Sequence, residues 1–323
     1  MYGLTGSTQF AAIRQALQPT TQGNSVGLAG NVAGATAVLL MLVGFGFKVA
    51  AVPFHMWAPD VYDGSPTPVT GYMATAVKAA AFAALFRVLA EAFGGVTAWQ
   101  QIVGWLAVAT MVVGNFVALA QRTVKRMLAY SSIAHAGYVL VAVAVGTWAA
   151  SAALLVYLFA YTLVTLAAFA LLATLGRDGE RDVRIDDLAG LSERRPWLAF
   201  ALAVCMLSLL GFPGTLGFIG KWYILVAATM VRQTLLAAIL VLTSVVSAGY
   251  YLPVIMAMYM KPAPEPSDQA HTGARLGRSA AVVVAACVLG LLVLGVRPNR
   301  LLDLARSSAV VPPASAAAPA TGR

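Results

Sequence analysis

The chain has 323 residues, of which 60% are hydrophobic and only 10% are charged, whereas a soluble domain carries about 25% charged residues. Its apolar residues come in runs of roughly 20 or more, the length that crosses a hydrocarbon core, so a large soluble domain is excluded and a polytopic membrane protein is indicated. The net charge of +9 falls in the loops between these runs, and it therefore predicts membrane topology rather than nucleic-acid binding.

The first 29 residues are mostly polar and contain a short amphipathic pattern. Phe10, Ile13 and Leu17 fall at helical spacing. This spacing predicts a short helix lying at the membrane interface, followed by a loop, over residues 1–29.

Eight membrane-spanning segments follow, and they predict an all-α polytopic membrane protein. We assign residues 30–296 to a transmembrane domain and residues 297–323 to a disordered C-terminal tail, which is rich in Ala, Pro and Ser from residue 307 onward. The predicted segments are 30–57, 66–91, 98–120, 127–146, 149–175, 196–230, 234–260 and 278–296.

Two of these segments are predicted to be discontinuous helices. The first contains a lysine and a proline, and the sixth reads GFPGTLGFIGKW over residues 211–222. Lipid tolerates a broken helix only where the freed backbone faces protein or water. The residues predicted to shape the two breaks are Pro53, Gly211, Pro213, Gly214 and Gly217.

Most Lys and Arg residues outside the apolar runs lie on one predicted side of the membrane, in loops 121–126, 177–195 and 261–277. Cytoplasmic loops carry an excess of these residues. We therefore predict that these three loops are cytoplasmic and that the C-terminus lies outside.

Three lysines, Lys48, Lys78 and Lys221, lie inside apolar segments, while all twelve Asp and Glu residues lie outside the predicted membrane middle. A charged lysine near the bilayer centre costs at least about 2.5–3.5 kcal/mol. It is tolerated if it meets water, receives a partner from elsewhere or releases its proton. The alternative is that the side chain extends to the interface, which applies more readily to Lys48 than to Lys78.

The two broken segments are the first and the sixth, five helices apart. An odd offset reverses the orientation in the membrane, so a repeat behind this pattern would be inverted, as in many transporters. With the broken helix fourth in a five-helix unit, residues 98–260 form one complete repeat and residues 30–92 form the end of another. Coincidence is the alternative, because glycine and proline are frequent in membrane helices.

Three stretches resemble a known family. They are KVAAVPFHMWAPDVYDGSPTPVTGYMATAVK at 48–78, RMLAYSSIAHAGYVLVAV at 126–143 and GFPGTLGFIGKWYIL at 211–225. Together they resemble the antiporter-like, proton-translocating subunits of respiratory complex I, the NADH:quinone oxidoreductase. The stretch PDVYDGSPTPV is most similar to the subunit N branch of this family. The resemblance runs in order through nearly the whole chain.

The resemblance implies a fold of fourteen transmembrane helices with two inverted five-helix repeats, of which this chain matches the last eight helices. It implies proton-transfer roles for Lys48, Lys78, Lys221, His55 and His135. It also implies a glutamate partner for Lys48 on a helix of the first repeat that has no counterpart here. We therefore expect this sequence to lack six N-terminal helices.

The resemblance further implies a translocase subunit of NADH:quinone oxidoreductase in the inner cell membrane. Its expected partners are other membrane-arm subunits, the lipid bilayer and protons, with no nucleic acid. No cofactor is expected in this chain, since NADH, flavin, iron–sulfur clusters and quinone would belong to other subunits. Cys205 and Cys287 lie in different apolar runs, and no Cys-x-x-Cys or metal site is predicted.

Hydroxyl groups near the histidines are candidates for holding bridging waters, because a proton wire needs polar partners about 3 Å apart. They are Tyr130, Ser131, Ser132 and Tyr138. Each polar residue also has a structural alternative. The hydroxyls are common in helix packing, His55 is placed to anchor the interface, and His135 is placed to bond a neighbouring carbonyl.

Two other functions stay open on the sequence alone. A subunit of an Mrp-type cation/proton antiporter would share the fold and the lysines. A structural remnant that conducts nothing would share them as well. Co-purified partners distinguish an Mrp-type subunit from a complex I subunit. Proton pumping by lysine variants tests whether the chain is a remnant that conducts nothing.

Overall fold

The computed structural model describes residues 2–17, 32–93, 98–176, 183–262 and 277–309. Within these ranges the protein is built from α-helices, with short π and 3-10 turns and an isolated β-bridge between Thr123 and Arg184. The helices are, in chain order, α1 Tyr2–Thr5, α2 Phe10–Leu17, α3 Val32–Val49, α4 Trp57–Gly64, α5 Thr67–Tyr72, α6 Lys78–Arg87, α7 Ala98–Leu119, α8 Val124–Val145, α9 Trp148–Leu175, α10 Leu191–Arg194, α11 Pro196–Leu210, α12 Leu216–Met230, α13 Thr234–Met260, α14 Arg278–Val296 and α15 Asn299–Ser307.

Six of the described helices are long and apolar enough to cross a membrane. Five of them are α7, α8, α9, α13 and α14, and the sixth is the continuous helix Thr67–Ala92, in which π turns follow α5 and α6. The shorter apolar helices α11 and α12 occupy the predicted segment 196–230 in succession. The prediction of an all-α polytopic membrane fold is confirmed.

The first predicted segment is broken, as expected, but it extends beyond its predicted end at residue 57. Residues 50–56 separate α3 from α4, and α4 ends only at Gly64. The backbone N–H of Val52 within the break donates to Thr110 Oγ1 on α7 at 3.0 Å. The sequence does not predict α4, because the stretch WAPDVYDG contains a proline, two aspartates and a glycine, which all have low helix propensity.

The second break lies between α11 and α12. Gly211 and Gly214 have φ angles of +88° and +90°, in the left-handed region that favours glycine. A Cβ on Gly217 would lie 1.9 Å from the carbonyl oxygen of Ser208, so the two half-helices approach too closely for a larger residue. Both predicted breaks are therefore present, and their membership of inverted repeats stays a prediction.

Helix α8 lies at the centre of the bundle. In its most apolar 18-residue stretch 94% of the residues are buried, against 28% in α14. It packs against α4, α7, α9 and α12. A Cβ on Gly137 would lie 2.7 Å from the backbone nitrogen of Met111 on α7, which shows the close approach that small residues allow between membrane helices. Polar side chains on α8 therefore face protein.

The loops rich in Lys and Arg meet at one face of the bundle. The β-bridge between Thr123 and Arg184 joins the loop before α8 to the loop after α9. Lys261, which follows α13, forms an ion pair with Asp186 in that second loop at 2.7 Å. These loops therefore share one side, and the cytoplasmic identity of that side stays a prediction.

The N-terminal amphipathic pattern forms a helix. It corresponds to α2, whose residue Ile13 is buried, and α2 packs against the π turn Val88–Ala92. The position of α2 at the membrane interface stays a prediction. The loop predicted to follow it lies largely outside the described residues.

The prediction of disorder from residue 297 is wrong for α15. Leu302 and Ala305 on this helix are buried, and α15 packs against α9. The composition rich in Ala, Pro and Ser begins only at residue 307, so it does not apply to NRLLDLARS. Residues from 310 onward lie outside the described residues.

Candidate functional site

Lys78 is buried where the helix Thr67–Ala92 meets α8. The residue is 5% exposed, and its Nζ donates to the Ser132 carbonyl oxygen at 2.8 Å and to Ser132 Oγ at 2.5 Å. No described carboxylate pairs with Lys78. A single residue of α8 therefore supplies both hydrogen-bond partners of a buried ammonium group, and such bonds are stronger than neutral ones.

Lys221 is buried at the second break. Its Nζ donates to the carbonyl oxygens of Leu209 at 3.0 Å and Leu210 at 2.9 Å. These are the last residues of α11, where carbonyls lack partners within the helix and the helix dipole favours a positive charge. The ammonium also lies 4.7 Å from the ring centroid of Tyr138, a cation–π contact. The break thus creates the site that holds this charge.

His135 on α8 lies between the two lysines. Its Nδ1 is 2.6 Å from Tyr157 Oη and its Nε2 is 3.0 Å from Tyr251 Oη. Tyr251 Oη also shares a hydrogen bond with Ser131 Oγ. Lys221 and Lys78 both act electrostatically on the imidazole. A neutral imidazole donates through one nitrogen and accepts through the other, so His135 can connect groups on its two sides.

Two small cavities adjoin these residues. The first has a volume of about 10 Å³ for the centre of a water molecule and is lined by His135, Tyr157, Tyr161 and Lys221, among others. The second has a similar volume and is lined in part by Ser131 and Tyr161. Most of each lining is apolar, but its hydroxyl, imidazole or ammonium groups supply hydrogen-bond partners for about one water molecule. Tyr161 borders both cavities.

A second polar network lies behind Tyr138. Asn115 Nδ2 donates to Tyr138 Oη at 3.1 Å and to the Met111 carbonyl oxygen at 2.7 Å. Tyr250 Oη donates to Asn115 Oδ1 at 2.9 Å. The Tyr250 and Tyr251 rings are 4.4 Å apart and their side chains interact, so this network meets the His135 network at α13. The network holds Tyr138 beneath Lys221.

Three predicted residues lie outside this cluster. Lys48 is exposed near the end of α3 and makes no hydrogen bond or ion pair with a described residue. His55 is half-buried in the first break, where its ring meets the Pro53 carbonyl and its Nδ1 has no described partner. Tyr130 contacts the guanidinium of Arg126 at the loop face.

The remaining predicted residues are brought together around His135. They are Lys78, Lys221, Ser131, Ser132 and Tyr138. Pro213 and Gly214 are exposed in the turn of the second break, so these two residues shape the backbone.

Sequence reasoning missed Asn115, Tyr157, Tyr161 and Tyr251. A signal existed for two of them, because Tyr157 and Tyr161 are four residues apart and share one face of the otherwise apolar helix α9. Among the described residues there is no group of three or more His, Cys, Asp or Glu placed to hold a metal ion.

Comparison with known proteins identifies the family. A family model described as NADH:quinone oxidoreductase/Mrp antiporter, TM, matches residues 1–247. The chain belongs to this NADH:quinone oxidoreductase/Mrp antiporter family. Within the family it is 45% identical to NADH-quinone oxidoreductase subunit N of Gemmatimonas aurantiaca over 332 residues, which cover 99% of this chain and 61% of the relative.

Solved structures of the family have the same fold. A chain of respiratory complex I from Thermus thermophilus with bound aureothin is 41% identical, with a TM-score of 0.76, over 94% of this chain and 62% of that one. A chain of the Mrp complex from Dietzia sp. DQ12-45-1b is 24% identical, with a TM-score of 0.82, over 95% and 62%. The expected resemblance to complex I subunit N is confirmed, and the Mrp likeness shows the fold alone.

Proposed function

We propose that this chain is a membrane-arm subunit of NADH:quinone oxidoreductase and that it moves protons through Lys78, His135 and Lys221. One observation supports this proposal above others. Two buried ammonium groups, each bound by hydroxyl or carbonyl oxygens rather than by a described carboxylate, lie on either side of a buried imidazole. A bundle that needed only stability would place apolar side chains at these positions.

The proposed mechanism is electrostatic. Ser132 and Tyr138, the α8 residues that contact Lys78 and Lys221, are six residues and therefore about 9 Å apart along the helix. Two unit charges at this distance repel by about 2 kcal/mol at an effective dielectric constant of 20. A proton that arrives at Lys78 therefore raises the energy of a proton already held at Lys221 and favours its release. His135 is bonded to two tyrosine hydroxyls, those of Tyr157 and Tyr251. A neutral imidazole accepts a proton at one nitrogen and donates one from the other, so His135 is the proposed link between the lysines.

We propose Lys48 as the switchable charge that precedes Lys78. It is exposed at the end of α3 and is therefore accessible to a carboxylate partner. His55 is the proposed link across the first break, since its Nδ1 is not engaged by a described residue. Ser131, Ser132 and Tyr138 are the proposed groups that hold waters along the path.

The redox steps would take place in other subunits of the assembly, so no cofactor is assigned to this chain. We place the protein in the bacterial inner membrane with the loops 121–126, 177–195 and 261–277 on the cytoplasmic side and the C-terminus outside. Identities of 45% to a subunit N and 41% to a complex I chain favour this assembly. The 24% identity to an Mrp chain favours an Mrp antiporter less.

The test uses inside-out membrane vesicles from cells that carry Lys78→Ala or Lys221→Ala in this chain. We expect both variants to lower the number of protons pumped per NADH oxidised while the assembled complex stays at parental abundance. Lys261→Ala is the matched control, because Lys261 is exposed and lies outside the bundle interior. Parental pumping in both variants would contradict the proposal and favour a remnant that conducts nothing.

Purification of the tagged chain decides between the two assemblies. NADH-dehydrogenase subunits are expected to co-purify with it. Recovery of a small antiporter assembly without them would contradict membership of NADH:quinone oxidoreductase.

A further inference from the structure

Tyr251 hydrogen-bonds two groups of the candidate site, but the roles proposed for Lys78, His135 and Lys221 give it no function. It is fully buried on α13, and its hydroxyl is within hydrogen-bond distance of two groups on α8, Ser131 Oγ and His135 Nε2. The contact to His135 measures 3.0 Å. No other described hydroxyl lies within hydrogen-bond distance of Nε2, so Tyr251 is the described hydroxyl that can exchange a proton directly with this nitrogen.

The groups on both sides of Tyr251 form a directional series. A hydroxyl carries one proton to donate and lone pairs to accept, and a neutral imidazole donates at one nitrogen and accepts at the other. Ser131 can therefore donate to Tyr251, Tyr251 to His135 Nε2, and His135 Nδ1 to Tyr157 Oη at 2.6 Å. In each hydrogen bond of the series the donor then lies on the Ser131 side and the acceptor on the Tyr157 side.

A small cavity lies at each end of this series. Ser131 borders the cavity shared with Tyr161, and Tyr157 borders the cavity shared with Lys221. Both cavities suit about one water molecule. The series therefore joins a site for water on the Ser131 side to a site for water beside Lys221.

We infer that the Tyr251 hydroxyl is a proton relay between Ser131 and His135, an inference that rests on the proposed proton-translocating function. A proton enters from water at Ser131, and each O–H or N–H bond in the series breaks as the next one forms. The phenolic proton of Tyr157 leaves to the water beside Lys221, so one proton enters and one leaves. Rotation of the hydroxyls resets their bonds. The imidazole is reset when the ring turns, Nε2 releases its proton to the water of the adjoining cavity, which His135 also lines, and Nδ1 takes one proton back from that water.

A competing route passes through Tyr161 alone. Its hydroxyl interacts with Ser132, the residue that binds Lys78, and its side chain borders the cavity beside Lys221. This route would bypass His135 and Tyr251. The Tyr251 route is favoured because the structure shows a hydrogen bond at each of its steps from Ser131 to Tyr157.

The test compares Tyr251→Phe with Ser247→Ala in inside-out vesicles that contain the assembled complex. Both substitutions remove one buried hydroxyl oxygen from α13, but Ser247 Oγ donates to the Ser244 carbonyl oxygen of its own helix and lies outside the series. We expect Tyr251→Phe to lower the proton-pumping rate by on the order of tenfold. This is less than the roughly 10²-fold or more that a positioned acid–base group supplies, since other steps share control. Ser247→Ala is expected to stay near the parent.

A readout that packing alone does not change accompanies the rates. Tyr251→Phe should lower the number of protons pumped per NADH oxidised and enlarge the slowing of pumping in deuterated water. A loss of assembly would instead lower pumping and NADH oxidation together. If Tyr251→Phe fails to assemble, Ser131→Ala interrupts the same series by removing one oxygen atom, and it should give the same loss.

The outcomes separate this inference from the proposed function. Normal pumping by Tyr251→Phe or by Ser131→Ala, beside impaired Lys78→Ala and Lys221→Ala, overturns the relay and leaves the proposed function intact. Impairment of Tyr161→Phe with normal Tyr251→Phe assigns the path to Tyr161. Normal pumping in both lysine variants overturns the proposed function itself.

Discussion

The contact between α4 and the start of α8 yields a prediction about two neighbouring basic residues. Lys125 is 7% exposed, and its Nζ donates to the carbonyl oxygens of Asp63 at 2.8 Å and Ser65 at 2.6 Å. Arg126 forms ion pairs with Asp60 at 3.2 Å and with Asp63 at 3.4 Å, but its side chain is 39% exposed. Counting ion pairs would rank Arg126 as the more important residue.

Burial reverses this ranking. A hydrogen bond to a charged group contributes about 1.5–3 kcal/mol, so Lys125→Met, which loses two bonds and gains apolar burial, should cost about 2–4 kcal/mol in unfolding free energy. Exposed ion pairs contribute about 0.2–1 kcal/mol each, so Arg126→Met should cost about 1 kcal/mol or less. The helix end at Gly64 explains the difference, because Lys125, unlike Arg126, binds carbonyl oxygens there.

The assay is unfolding of the purified chain by sodium dodecyl sulfate in mixed micelles. The chain has two cysteines, Cys205 and Cys287, and both are buried, so labelling by a thiol-reactive dye reports unfolding. We expect a clearly lower transition for Lys125→Met and a transition near the parent for Arg126→Met. Equal losses, or a larger loss for Arg126→Met, would refute the reasoning from burial.

Two further predictions concern the second break and the loop face. Gly217→Ala should destabilise the chain by about 1–3 kcal/mol or more, because the new Cβ would lie 1.9 Å from the Ser208 carbonyl oxygen. Gly44→Ala is the control, because Gly44 has open space around it, and it should be neutral or stabilising in the same unfolding assay. Equal effects of the two substitutions would contradict the account of the break. The hydrogen bond from Lys261 lowers the pKa of the Asp186 carboxyl below its ordinary 3.8. Its stabilising effect is therefore present above pH 3.8 and lost as the pH falls through the lower folded-state pKa. Lys261→Met should remove this part of the acid dependence of unfolding, and an unchanged pH profile would contradict it.

Single residues that break a strong rule were predictable from the sequence. Lys78 and Lys221 stand out because a lysine within an apolar run is costly in lipid, and the glycines around Gly211 stand out because they interrupt such a run. The structure places both lysines in the interior and both breaks where expected. These features need no knowledge of which helices are neighbours.

Features that depend on contacts between distant segments of the chain were not predictable from the sequence. Tyr157 and Tyr251 are ordinary residues of apolar helices until the bundle brings both hydroxyls to His135. Likewise α15 gains its stability from packing on α9, and tertiary packing rather than propensity stabilises most short helices. Tyr130 is the opposite case, a residue that the sequence predicts in the site but that lies outside it. Its neighbours Ser131 and Ser132 face the interior, whereas its own hydroxyl contacts Arg126.

The central claim is that Lys78 and Lys221 lie on one proton path. The most direct measurement is the number of protons pumped per NADH oxidised by Lys78→Ala, Lys221→Ala and the double variant, each at parental abundance of the complex. Residues that act as a unit give non-additive losses. The account predicts that the double variant pumps no worse than the more impaired single variant. Losses that multiply in the double variant would contradict the account, because they would place the two lysines on independent paths.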